Sequence, residues 1–199
     1  MLRVDCVKLG MIKTNSYIIG DNEKCIIVDI GDDSKTGRQE LEKNIGNREL
    51  VGIVFTHSHF DHIMGSCLFP EVQQYMSEVD FNLIEEHQRL SSYVVNILAT
   101  KPVNINFLDE NMNISGISFR AINTPGHTKG GVCLVFDDFV ITGDTLFSGC
   151  CGRLDVGGNY NDMKSSLNTL SKLNSDLIIY PGHGKSSILK DELKWMEDF

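Results

Sequence analysis

The segment Thr56-His57-Ser58-His59-Phe60-Asp61-His62 places three imidazoles and one carboxylate within six positions, His57 to His62. Side chains of these types, packed this closely after a run of apolar residues, suit a metal ion held at a strand end. Neutral imidazole and carboxylate together favour zinc, and also accept iron, manganese or nickel. Two further histidines stand in near-identical tripeptides, Pro125-Gly126-His127 and Pro181-Gly182-His183. Proline stiffens the entry to a turn and glycine permits backbone angles closed to other residues, so both tripeptides are expected to be tight loops that present a histidine. Asp144 lies in Thr142-Gly143-Asp144-Thr145, another glycine-bounded strand end. His57, His59 and His127, with Asp61, His62 and His183 and with Asp144 between, supply enough ligands for two ions. The sixth histidine, His87, follows Glu85 and Glu86 and reads as an exposed helix residue.

These loops need rigid elements to hold them. Short β-type runs cover Val4 to Leu9, Ser16 to Ile19 and Cys25 to Ile30, with the turn-like Gly20-Asp21-Asn22 between the last two. Helical spacing marks Lys35 to Ile45, and Val51 to Phe55 is an apolar run of the kind buried on both faces. Glu78 to Leu98 is the longest helical stretch. Strands are then expected at Ile117 to Ile122, Val132 to Phe136 and Phe139 to Thr142, with Asp137-Asp138 as a hairpin turn. A helix near Met163 to Leu173, a strand at Leu177 to Tyr180 and a helix from Ser187 to Met196 complete a mixed α/β pattern.

The chain has 199 residues, 41% of them hydrophobic, a size that suits one domain spanning residues 1–199. Its net charge of −9 and scattered lysines argue against a nucleic-acid partner. Nothing near the N-terminus resembles an export signal, and no run approaches the ~18 apolar residues of a membrane span. Six cysteines without a CxxC pair read as reduced thiols of a cytoplasmic protein, with the adjacent Cys150 and Cys151 as loop packing rather than redox chemistry.

The His-x-His-x-Asp-His motif, followed by Pro-Gly-His-Thr, Gly-Asp-Thr-Leu-Phe and a late Gly-His, resembles the metallo-β-lactamase superfamily in order and extent, from Val28 to Gly184. The resemblance implies an αββα sandwich, two mixed β-sheets flanked by helices, with metals at one edge. It also implies that His57, His59 and His127 bind one ion, that Asp61, His62 and His183 bind a second, and that Asp144 bridges. Val28-Asp29-Ile30-Gly31 is similar to the superfamily's early Asp-x-Gly turn, so Asp29 would orient a ligand; an ordinary turn aspartate is the alternative. Two zinc ions are the expected cofactors, with iron or manganese as substitutes.

Within the superfamily, Gly143-Asp144-Thr145-Leu146-Phe147 and Gly149-Cys150-Cys151-Gly152-Arg153 are most similar to the hydroxyacylglutathione hydrolase (glyoxalase II) group. The likeness implies hydrolysis of a small acyl thioester by metal-activated water, with Asp61 and Asp144 catalytic. Arg153 would meet a carboxylate of the thiol portion, unless it is a solvated loop arginine. Two departures put glutathione itself in question. The sequence runs only 15 residues past Gly184, too few for the C-terminal helical domain of the glutathione-specific enzymes, and Leu154-Asp155 replaces an aromatic-containing stretch. Rival readings are a persulfide dioxygenase with one iron on His57, His127 and Asp144, a lactone or other ester hydrolase, and a non-catalytic scaffold. The expected partner is a small molecule, not a nucleic acid or a membrane.

Overall fold

The structure, a computed structural model, describes residues 2–92 and 99–199. Two six-stranded sheets face each other. The first contains β1 (Arg3–Leu9), β2 (Thr14–Gly20), β3 (Lys24–Val28), β4 (Glu49–Val54), β5 (Gln74–Met76) and β6 (Ile105–Phe107), paired in that order. The first three are antiparallel and the last three run parallel to β3. The second sheet runs β12-β11-β10-β9-β8-β7, with β7 (Asn111–Ile114), β8 (Ile117–Asn123), β9 (Val132–Val135), β10 (Phe139–Gly143), β11 (Ile178–Pro181) and β12 (Ser187–Ile188). Only β10 and β11 are parallel in it, joined through a helical crossover. Helices α1 (Lys35–Ile45), α2 (Phe60–Ile63), α3 (Glu78–Ser92), α4 (Tyr160–Leu170) and α5 (Leu189–Asp198) complete the expected αββα class.

Strand alternation explains the layering, because successive side chains leave a strand on opposite faces. Ile19, Ile26, Val28 and Val54 point between the sheets, where they meet Phe119, Leu134 and Ile141. Their neighbours Ile18, Ile27 and Ile53 point outward to Leu41 of α1 and Ile84 of α3. On the far side, Cys133, Val140 and Ile179 pack against Met163 and Leu167 of α4 and Leu189 and Met196 of α5. Central strands with both faces covered therefore read as continuous apolar runs.

Several expected boundaries move. The run Cys25 to Ile30 ends as a strand at Val28, because Asp29 adopts φ +57° and turns the chain toward the site. Val51 to Phe55 becomes β4, Glu49–Val54. The helix expected near Met163 to Leu173 starts earlier, at Tyr160, where the Asn159 side chain accepts a hydrogen bond from Asp162 N. Ser187 and Ile188, expected in the last helix, form the edge strand β12 instead, and α5 begins at Leu189. The expected helix to Leu98 is present to Ser92; residues 93–98 lie outside the described residues. Among the described residues, no helix is long and apolar enough to cross a membrane.

Candidate metal centre

All seven candidate ligands converge where β4, β10 and β11 end. The chain leaving β4 carries His57 and His59, then α2 presents Asp61 and His62. The β8–β9 loop supplies His127, the residue after β10 is Asp144, and the loop after β11 presents His183. Three groups bring their ligand atoms within 4.8 Å of one another: His57 with His59 and His127, His57 with His62 and Asp144, and Asp61 with His62 and His183. His62 Nε2 lies 3.3 Å from Asp61 Oδ2 and 3.4 Å from Asp144 Oδ1. His183 Nε2 lies 3.1 Å from Asp61 Oδ2, and His127 Nε2 lies 3.5 Å from the other Asp144 oxygen. Ligand atoms about 2.0–2.1 Å from a tetrahedral zinc are ~3.4 Å from one another, so the spacings match the edges of such a cage.

Hydrogen bonding also fits a cation. Among the described residues, His57 Nε2, His59 Nε2, His62 Nε2 and Asp144 Oδ1 are buried without a hydrogen-bond partner. Buried polar atoms are rarely left so, because each forfeits its hydration. His57 and His62, and likewise His127, engage their Nδ1 atoms away from the cluster. His62 Nδ1 is 2.8 Å from Asp29 Oδ2, so it donates there and turns Nε2 to the cluster. His57 Nδ1 is 3.1 Å from Thr56 Oγ1, which donates in turn to Asp29 Oδ2 at 2.7 Å. His127 Nδ1 is 2.6 Å from the Arg153 carbonyl. His59 differs in that its Nδ1 approaches His127 Nε2 to 2.8 Å. Asp29 thus touches one ligand directly and another through Thr56, besides accepting from Thr56 N at 2.8 Å.

The electrostatics divide the site. Burial, helped by the neighbouring rings, pushes His57 well below the usual histidine range and His59 down to about 3, so these rings stay neutral and ligand-competent. The other half is anionic. Burial would raise the Asp61 and Asp144 carboxyls, yet His62 beside them holds both below the usual carboxylate range. Burial would likewise lower His62, but Asp61, Asp29 and Asp144 around it hold its pKa well above the ordinary value. Such an excess of carboxylate is answered by bound positive charge.

Several residues that build the site carry no motif. Thr14 Oγ1 donates to Asp61 Oδ2 at 3.0 Å. Tyr17 OH and Asn15 Nδ2 donate to the Pro181 carbonyl at 2.6 and 2.9 Å, which anchors the His183 loop to β2. Glycine is required at position 182, where an added Cβ would stand 2.2 Å from Asp144 Oδ1. His87 is a correction: it is buried at 3% exposure, its Nδ1 2.5 Å from Ser58 Oγ. Asp80, Ile84 and His87 share one inward face of α3 while Glu85 and Glu86 face solvent, a spacing that would have located it.

A cavity of about 350 Å³ opens onto the cluster, walled by Ile12, Phe60, Phe147 and Val156 over His59, Asp61, His127, Asp144 and His183. Arg153 is on this wall, but Asp155 already answers its guanidinium through two bonds of 2.7 and 2.9 Å. All six cysteines are free; Cys150 is exposed and Cys151 half-buried.

Comparison with known proteins agrees with this geometry. The family model described as the metallo-beta-lactamase superfamily matches residues 9–183. A probable metallo-hydrolase of Streptococcus pyogenes serotype M6 is 32% identical over 194 residues, covering 89% of this chain and 82% of the relative. A hydroxyacylglutathione hydrolase of Buchnera aphidicola is 31% identical over 169 residues, covering 83% of this chain but 60% of that protein. The crystal structure of TTHA1623 in a di-iron-bound form superposes with a TM-score of 0.81 at 28% identity, covering 94% of this chain and 96% of that one.

Proposed function

The chain belongs to the metallo-beta-lactamase superfamily of metal-dependent hydrolases, and from that premise we propose that it is a dinuclear enzyme hydrolysing a small acyl thioester. The observation that carries the dinuclear reading is the pair of ligand groups, His57 with His59 and His127 and Asp61 with His62 and His183, in which the Nε2 atoms of His57, His59 and His62 are buried without a hydrogen-bond partner. His57, His59 and His127 would hold one ion and Asp61, His62 and His183 the other, with Asp144 within reach of both groups. When bound, such ions supply Lewis acidity, activating water as a nucleophile near neutral pH and polarising a carbonyl. Zinc suits these donors, and the di-iron-bound neighbour supports iron as the alternative.

This chain's own residues do the rest. Asp61, kept ionised by His62 and His183 and oriented by Thr14, directs the attacking water. Ile12, Phe60, Phe147 and Val156 seat the acyl group and shield the reacting carbonyl from bulk water. A thiolate leaving group, with a pKa of roughly 8.5, needs little help from a general acid. Arg153 offers a cation at the wall to a carboxylate of the thiol portion, in exchange for Asp155. The likeness to the hydroxyacylglutathione hydrolase supports the thioester class. The substrate is a small molecule rather than a nucleic acid, in keeping with the net charge of −9, and the six free thiols support a reducing, cytoplasmic setting.

The test is thiol release from S-lactoylglutathione by zinc-loaded protein, with a chelated sample beside it. Chelator-sensitive turnover with kcat/KM of ~10⁴ M⁻¹s⁻¹ or more supports the proposal. Absence of turnover in protein with verified metal occupancy would overturn the thioester assignment.

A further inference from the structure

Helix α3 meets the centre through two buried polar side chains that do not line the cavity, Asp80 and His87, the latter packed edge-on against the His59 ring with centroids 5.5 Å apart. Asp80, with no exposed surface, accepts three hydrogen bonds. Ser58 N and Thr128 Oγ1 both reach its Oδ2 at 2.9 Å, and Gly130 N reaches its Oδ1 at 2.7 Å. Two turns further along the same face, His87 Nδ1 stands 2.5 Å from Ser58 Oγ. Ser77, just before the helix, donates to the Gly130 carbonyl at 2.5 Å. One helix end thus grips the segment between His57 and His59 and also the loop that follows His127.

A buried carboxylate is costly unless its oxygens are fully paired, and a fully paired one becomes a rigid fixture. Here the fixture ties together two loops 70 residues apart, His57–His59 and His127–Gly130, which carry the three imidazoles of one half of the centre. The other half is held from elsewhere: His62 by Asp29, Asp61 by Thr14, and the His183 loop by Asn15 and Tyr17. His57 alone is tied to both supports, through Thr56 and Asp29 on one side and Ser58 on the other.

We propose that Asp80, assisted by His87, is the positioning residue of the three-histidine site, setting its affinity for an ion without touching ion or substrate and leaving the carboxylate-rich site unaltered. The proposal rests on the reading that His57, His59 and His127 hold an ion. Removing an outer partner of a metal ligand commonly costs 10–100-fold in affinity, and Asp80 supports all three ligands through their chain neighbours Ser58, Thr128 and Gly130.

Metal-stripped protein titrated with zinc by calorimetry, and with cobalt followed in the visible spectrum, tests this. Wild type is expected to bind two ions per chain. Asp80→Asn keeps the shape but turns an amide toward hydrogen-bond donors, and is expected to weaken one binding step by 10–100-fold while the other stays within threefold. Repeating the titration in a His183→Ala background, which disables the other site, assigns the weakened step. Thr128→Val removes one of the three donors and is expected to shift the same step by a smaller factor. Thr128→Ser keeps the hydroxyl and is expected to restore it. If Asp80→Asn does not fold, the Thr128 pair decides. Equal weakening of both steps, or none in a folded variant, overturns the proposal. A wild type that binds no ion would instead overturn the metal-centre reading beneath it.

Discussion

Gly182 offers the sharpest test of how tightly the centre is built. A Cβ there would lie 2.2 Å from Asp144 Oδ1 and 2.7 Å from His62 Cε1, whereas ordinary contacts begin near 3.4 Å. The shortfall to the carboxylate is 3.4 − 2.2 = 1.2 Å. The backbone cannot retreat to make it up. Gly182 N donates to the Gly143 carbonyl at 2.8 Å, the Gly182 carbonyl accepts from Asn15 N at 2.8 Å, and the preceding carbonyl is held by Tyr17 and Asn15. Asp144 must therefore give way by about 1 Å, carrying its oxygen off His62. A displacement of that size in a reacting centre costs about 10²-fold. We expect Gly182→Ala to fold, because position 182 is not among the positive-φ residues, yet to bind less than two ions per chain and lose about 100-fold in thioester turnover. Gly116→Ala is the control: φ is +100° but nothing lies within 4 Å, so backbone strain is introduced away from the centre. It should lower stability by roughly 1–2 kcal/mol and leave metal content unchanged. Elemental analysis, turnover and thermal melts of both variants separate the effects. Two ions per chain and turnover within threefold of wild type in Gly182→Ala would refute the steric reasoning.

Asp29→Asn removes the acceptor of His62 Nδ1 and one support of Thr56, so zinc affinity at the carboxylate-rich half should fall 10–100-fold by titration. Tyr17→Phe deletes a 2.6 Å bond to the Pro181 carbonyl, which keeps Asn15 as a donor; a loss of about 0.5–1.5 kcal/mol in urea unfolding is expected, and no loss would show that the bond is idle. Burial pushes the Cys133 thiol up to about 11 from 9.0. Since the folded state holds that proton more tightly, its contribution to stability is complete below pH 9 and is lost as pH rises through about 11. Denaturant unfolding of Cys133→Ala should lack this alkaline decline. A thiol reagent should modify Cys6, Cys67 and Cys150 in the native protein, and Cys25 and Cys133 only on unfolding.

Much of the centre was legible because its signals are local. His57 through His62 lie on one short segment, and the two Pro-Gly-His loops each specify their own turn, so a reader needs only neighbouring residues to find them. Strand alternation is equally local, and α1 follows its apolar spacing and its Ser34 cap without adjustment. The short strands β5, β6 and β7 escaped notice because segments of three or four residues exist only through their partners.

Tertiary structure decided which polar residues serve the centre. Thr14 reaches Asp61 across 47 residues of sequence and Asn15 reaches Pro181 across 166, distances over which periodicity and turn chemistry say nothing. Packing of α3 against the first sheet turned Asp80 and His87 inward, against the expectation drawn from the glutamates beside His87. The exchange of Arg153 with Asp155 depends on a loop conformation that composition does not encode. The sequence by itself determined the ligand types, the layer order and the chemistry available to them. Burial and long-range hydrogen bonds, properties of the folded chain alone, determined which ligand atoms face the centre and how rigidly they are held.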